Sequence, residues 1–269
     1  MKRLVISALI PFLLLACSEK KAPPQPVAAI EEEEVTDCSK FFVSGTPPVL
    51  TNPKLQAKTQ PICFSGFAVL HSGVTRTPLY AAEYMTKAKL TRARQVARED
   101  SFHAEKIIPV GERAELSDYT NSGYDRGHLA PAADMPSTRA QSESFSLANM
   151  TPQNPNNNRG IWSDIESTTR GLVTKRGELY IVSGPMFLGN KVQRMNGRVL
   201  VPTHYYKAIY DPKRQEAGAY VVENKENAVP KVISITELTK MSGVQVFPKL
   251  TATVQNTAMS LPIPNSGKP

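Results

Sequence analysis

The chain is poor in several residue types, and each shortage narrows what it can be. Only three of its 269 residues are cysteine and only four are histidine. No set of these at zinc-ligand spacing is present, which argues against a structural zinc module. No internal repeat appears, which removes solenoids and propellers. The longest apolar run, residues 4–15, is too short to cross a bilayer. What remains is 41% hydrophobic, with 22 prolines. That composition suits a soluble globular body with many loops and an extended tether, not a helical bundle.

The short apolar run follows Lys2-Arg3 and ends in Leu14-Leu15-Ala16-Cys17, which looks like a bacterial lipobox. Residues 1–16 are therefore expected to be a lipoprotein signal peptide, with Cys17 lipidated as the mature N-terminus. Plain secretory cleavage nearby is the alternative. Either way the mature protein lies outside the cytoplasm, in the cell envelope facing the periplasm or the exterior. Ser18 after the cysteine, where inner-membrane retention favours aspartate, points to the outer membrane. Residues 17–36 read as a flexible tether: Pro23-Pro24-Gln25-Pro26 is stiff, and Glu31-Glu32-Glu33-Glu34 repels itself. Residues 37–269 are left as a single domain. In an oxidising compartment Cys38 and Cys63 are expected to form a disulfide, worth about 3–4 kcal/mol on a chain-entropy argument. Without leader and tether the chain has 28 basic against 19 acidic residues. Such a body suits a polyanionic partner, nucleic acid or anionic membrane, although charge alone serves solubility equally well.

In chain order, 38–61 reads as irregular, and 64–71 and 78–90 as strands. Residues 139–148 read as a short helix, 149–158 as a loop because five asparagines and two prolines crowd it, and 160–173 as an amphipathic helix. Strands are expected at 179–183, 199–210, 217–223 and 244–247. Ser234-Ile235-Thr236-Glu237 has capping-box spacing ahead of a helix to about Met241. His71, His103 and His204 are read as structural or surface histidines.

The densest chemistry lies in Gly123-Tyr124-Asp125-Arg126-Gly127-His128-Leu129-Ala130-Pro131-Ala132-Ala133-Asp134. It is followed by Asn149-Met150-Thr151-Pro152-Gln153, and then by Asn158, Trp162, Glu166 and Arg170 at four-residue intervals. Together these resemble the DNA/RNA non-specific endonuclease family. The resemblance implies an α+β fold, a mixed and mainly antiparallel sheet flanked by helices, carrying a ββα-metal finger with a DRGH motif. It implies DNA and RNA as substrates and magnesium as cofactor, with manganese as a substitute. It makes His128 the general base, Asn158 the metal ligand, Glu166 a second acid acting through water, and Arg126, Arg170 and Arg98 the phosphate contacts. Arg94 competes with Arg98 for that last role. Asp125 orients its neighbours; taken in isolation, Asp125-Arg126 reads more simply as a local ion pair shaping a turn.

The chemistry is coherent with those roles. Histidine titrates near neutrality and can take a proton from water. Magnesium keeps most of its waters and accepts a lone amide oxygen, so no acidic cluster is required. Eight helical residues span about 12 Å, so Asn158 and Glu166 share a site only through waters, or if the helix begins after Asn158. The competing reading is a non-catalytic nucleic-acid-binding envelope lipoprotein of the same fold. The sequence leaves a homodimer and an inhibitor protein open as further partners, beside the membrane reached through the N-terminal lipid.

Overall fold

A computed structural model describes residues 37–264. The expected leader, the Cys17 lipid site and the tether lie outside the described residues.

Nine strands and four helices matter for the site. They are β1 (Thr59–Cys63), β2 (Ala68–Ser72), β3 (Thr77–Thr86), α1 (Lys87–Ala93), β4 (Asp125–His128), α2 (Thr138–Ser144), β5 (Met150–Gln153), α3 (Ser163–Arg176), β6 (Glu178–Met186), β7 (His204–Asp211), β8 (Glu216–Glu223), β9 (Lys231–Ile233) and α4 (Ile235–Ser242). Seven strands form one sheet in the order β9-β8-β7-β6-β3-β2-β1. Every pairing in it is antiparallel, so the expected mixed sheet is purely antiparallel.

The sheet is buried on both faces, and the pleat sorts its side chains. Val69, Ala81, Ile181, Tyr205, Ile209 and Tyr220 point to one face, where Trp162, Ile165, Leu172 and Val173 of the α3 region pack with Leu129 and Ala130. Their neighbours Ala68, Ala82, Val182, Tyr206, Ala208 and Val221 point to the other, under Ile235 and Leu238 of α4 and Phe247. This one-residue alternation is why the strands read as near-continuous apolar runs.

Several boundaries differ from the sequence reading. The strand expected to reach residue 90 stops at Thr86, whose hydroxyl accepts from the Lys89 amide and starts α1. The region read as irregular already contains β1 from Thr59. The helix read over 139–148 ends at Ser144. The strand expected over 179–183 is nine residues long, and the one expected over 199–210 divides into Val199–Leu200 and β7. The asparagine-rich loop at 149–158 is instead β5 and a helical turn, because β4 supplies β5 with a backbone partner. The capping box is present: the Ser234 hydroxyl accepts from the Glu237 amide at 3.2 Å. Cys38 and Cys63 are bonded as expected, and Cys38 packs on the α4 side of the sheet.

Candidate active site

The DRGH motif forms β4, an edge ribbon with β5 that sits off the main sheet. Asp125 faces Gln153, Arg126 faces Pro152, Gly127 faces Thr151 and His128 faces Met150. Two glycines shape its entry. Gly123 adopts φ +78, which favours glycine. Gly127 leaves room for a neighbour: a Cβ there would meet Gln153 Cβ at 2.7 Å, with Gln153 Oε1 closer still. The ribbon is clipped to the body by asparagines. Asn149 Oδ1 accepts from the Ala130 amide at 3.0 Å, and its Nδ2 donates to Ala130 O at 2.8 Å and Ser144 O at 2.9 Å. Asn157 Nδ2 donates to Glu223 O at 2.7 Å, while Asn157 Oδ1 accepts from Gln153 Nε2 at 2.9 Å. Tyr205 and Asn224 both donate to Pro152 O.

After β5 the Asn154 side chain caps a turn over Pro155–Asn157, and a π-type turn follows at Asn158–Trp162. Gly160, at φ −107 and ψ −109, departs from helical geometry inside it. The long helix therefore begins at Ser163, after Asn158, the second of the two arrangements under which Asn158 and Glu166 can share a site. No hydrogen bond joins the two. Two strands, a kinked turn and a helix thus make a ββα finger.

Asp125 is not paired with its neighbour Arg126. Its Oδ2 accepts from Asn158 Nδ2 at 3.0 Å and from Arg159 Nε at 2.9 Å, and its Oδ1 from Arg159 Nη2 at 2.7 Å. With its amide nitrogen tied to a carboxylate, Asn158 is left with an Oδ1 that accepts no bond from the described residues. Arg126 lies over the Phe102 ring at 4.1 Å, leaving its fork outward.

His128 stands in an aromatic corner, edge-on to Phe145 at 5.0 Å between ring centroids and tilted to Phe102 at 5.8 Å. Its Nε2 is enclosed and unpartnered, and its backbone oxygen accepts from Trp162 Nε1 at 3.3 Å. Burial, with Arg98 next and Arg126 adding, pushes its pKa down to about 3, so the imidazole is neutral. Arg98 is exposed, pairs with Asp100 at 2.7 Å and sits over Phe145 at 5.2 Å. Arg94, Arg98 and Arg170 line one cavity of about 480 Å³.

Glu166 belongs to a buried charged cluster beneath α3. Burial pushes its pKa up to about 7 against the pull of Lys207 and Arg170. Arg170 pairs with Asp134 at 3.2 Å rather than with Glu166. Glu83 is fully buried with both carboxylate oxygens unpartnered, and burial first and Asp134 second raise its pKa well above the usual carboxylate range. Lys207 Nζ donates to Ser183 Oγ at 2.6 Å. Glu83 and Lys207 were missed from sequence, although a lone charge in a strand of apolar residues was the available signal. Phe102 and Phe145 carried none.

Among the described residues no group of three or more His, Cys, Asp or Glu side chains is arranged to hold a metal. The donor present is the amide oxygen of Asn158, whose nitrogen is held by Asp125. A lone hard oxygen donor of this kind fits a cation that keeps most of its own water.

The family profile described as DNA/RNA non-specific endonuclease matches residues 47–253. Nuclease C1 of Cunninghamella echinulata is 32% identical over 204 residues, covering 68% of this chain and 81% of the relative. A nuclease of Nostoc sp. is 32% identical over 209 residues, covering 77% and 73%. The mitochondrial Nuclease 1 of Schizosaccharomyces pombe is 33% identical over 216 residues, and the match spans 65% of that protein's length. The solved structure of an EndoG/EndoGI complex aligns with a TM-score of 0.62 and 26% identity, over 73% of this chain and 89% of that one.

Proposed function

Since the chain belongs to the DNA/RNA non-specific endonuclease family, we propose that it is a metal-dependent hydrolase cutting phosphodiester bonds of DNA and RNA without sequence preference. One observation carries the reading: a neutral, unpartnered His128 and an Asn158 amide fixed by Asp125 stand on the same ββα finger. His128 takes the proton of the attacking water on Nδ1, the ring nitrogen that the protein does not enclose. Arg126, held flat by Phe102, grips the phosphate with its fork, and Arg98 and Arg170 add charge from the adjoining cavity. Asp125 holds Asn158 in place and does not react, and Glu166 orders water below it. Magnesium, or manganese in its place, would be held by Asn158 Oδ1 and would neutralise charge on the leaving 3′ oxygen. Contacts to phosphate alone give affinity without sequence choice.

Degradation of plasmid DNA and single-stranded RNA, followed by end-group analysis, tests this. Loss of both substrates to products with 5′-phosphate ends is expected; cleavage confined to one recognition sequence, or 3′-phosphate ends, would refute it. In this proposal the domain at 37–269 follows a signal peptide and a tether, and Cys17 anchors it in the bacterial envelope. Incorporation of labelled fatty acid by the full chain, lost in Cys17→Ser, is the corresponding check. The EndoG relative was solved in a study of its inhibition, and an inhibitor protein is a candidate partner here too.

A further inference from the structure

Helix α3 carries a glycine at 171, exposed and in the helix interior, where glycine costs about 1 kcal/mol relative to alanine. Among the described residues nothing asks for it: its φ is not positive, and a Cβ built there would meet no atom beyond its own helix backbone within 4 Å. Gly171 does have a distinctive position. It belongs to the wall of the cavity lined by Arg94, Arg98 and Arg170, and also to that of a second cavity, about 510 Å³, lined by Lys175, Arg176 and Arg214. The first takes Ser167, Arg170 and Gly171 from one stripe of the helix. The second takes Thr168, Leu172 and Lys175 from the adjacent stripe. Gly171 is the saddle between them.

The second cavity is basic, and two of its cations are uncommitted. Arg176 is neutralised by Asp211 at 2.9 Å and Glu216 at 3.2 Å. Lys175 and Arg214 are exposed and have no ion-pair partner among the described residues. Lys175 follows Arg170 by five residues, about 7.5 Å of helix rise.

We infer that the Gly171 saddle leads a nucleic-acid strand out of the active site into the Lys175–Arg214 cavity, so that the enzyme grips its substrate beyond the scissile phosphate. The missing side chain lets the backbone of the strand pass close over the helix, and Lys175 and Arg214 neutralise successive phosphates on the far side. The inference rests on the nuclease reading and adds a length preference to it: long strands bind more tightly than those that fill only the active site.

The test is binding of fluorescent single-stranded DNA by the full chain in EDTA, comparing strands of about 4 and about 16 nucleotides. Each phosphate neutralised on a single strand contributes about 0.7 to the slope of log affinity against log salt. The Lys175→Ala/Arg214→Ala variant is therefore expected to reduce the slope for the long strand by about 1.4. At about 0.15 M salt it should lose roughly tenfold of the long-to-short affinity ratio. Gly171→Gln, which fills the saddle without changing charge, should lower the same ratio and leave the thermal midpoint at or above wild type. A wild-type protein that cleaves and binds, with variants that keep the wild-type ratio and slope, would overturn the track. A wild-type protein that neither binds nor cleaves would overturn the nuclease reading on which it rests.

Discussion

Replacing Asp125 with alanine separates its two partners, and the structure assigns them unequal weight. Arg159 is 73% exposed and the carboxylate it meets is 17% exposed. A pair with one end in water is worth about 0–1 kcal/mol. The bond from Asn158 Nδ2, at 3.0 Å, is different, because it fixes which way the amide oxygen faces. A hydrogen bond to a charged group is worth about 1.5–3 kcal/mol, and one that orients a metal ligand is worth about 10–100-fold in metal affinity. Asp125→Ala should therefore raise the magnesium concentration for half-maximal cleavage by about 10–100-fold, whereas Arg159→Ala should shift it less than about threefold. The assay is plasmid cleavage across a magnesium titration, with calorimetric titration of the ion as the activity-independent readout. An unchanged magnesium requirement in Asp125→Ala, or an equal shift in Arg159→Ala, would refute the view that Asp125 acts by aiming Asn158.

Three further outcomes are expected. Gly127→Ala forces Gln153 from its place beside Asn157; overpacking plus a lost hydrogen bond should destabilise the protein by about 2–4 kcal/mol in urea unfolding, and a change below about 0.5 kcal/mol would contradict the close approach. His128, pushed down to about 3 when folded, contributes fully above its unfolded value of about 6.5 and loses its contribution as pH falls toward 3. Relative to His128→Gln, the wild type should accordingly lose about 2 kcal/mol between about pH 7.5 and pH 5, and a constant gap would mean the ring is not held neutral. Replacing Cys38 and Cys63 with serine should lower stability by about 3–4 kcal/mol while leaving cleavage intact, because the bridge packs on the α4 side of the sheet, away from the finger.

The sequence was most legible where one stretch dictates its own chemistry. The Ser234 capping box and the cysteine pair depend on near neighbours or on compartment, and the DRGH stretch and the Asn158–Arg170 spacing are short local patterns that take their roles from the family they resemble. It was least legible where a distant strand decides. Residues 149–158 have the composition of a loop, yet β4 gives Met150–Gln153 a partner, and two of the asparagines that signalled a loop are clips to Ala130, Glu223 and Lys225. Thr86 ends a strand whose apolar pattern runs on to Leu90, because a helix cap and a strand residue look alike until the chain turns. The local pairing of Asp125 with Arg126 was a reasonable reading of adjacent opposite charges. In a strand, however, successive side chains face opposite ways, so Asp125 reaches Asn158 and Arg159 while Arg126 reaches Phe102. The buried Glu83, Asp134 and Lys207 come from three separate elements, and only the fold brings them under Glu166.

The central claim is that His128 and Asn158 do different jobs at one metal-dependent site, and a paired measurement addresses it. Cleavage of plasmid DNA and single-stranded RNA by wild type, His128→Ala and Asn158→Ala would be followed across a magnesium titration and in EDTA, with calorimetric binding of the ion alongside. EDTA should abolish wild-type cleavage and both variants should be inactive, with His128→Ala still binding the ion and Asn158→Ala not. Cleavage that persists in EDTA, or an Asn158→Ala variant that binds magnesium as wild type does, would contradict it.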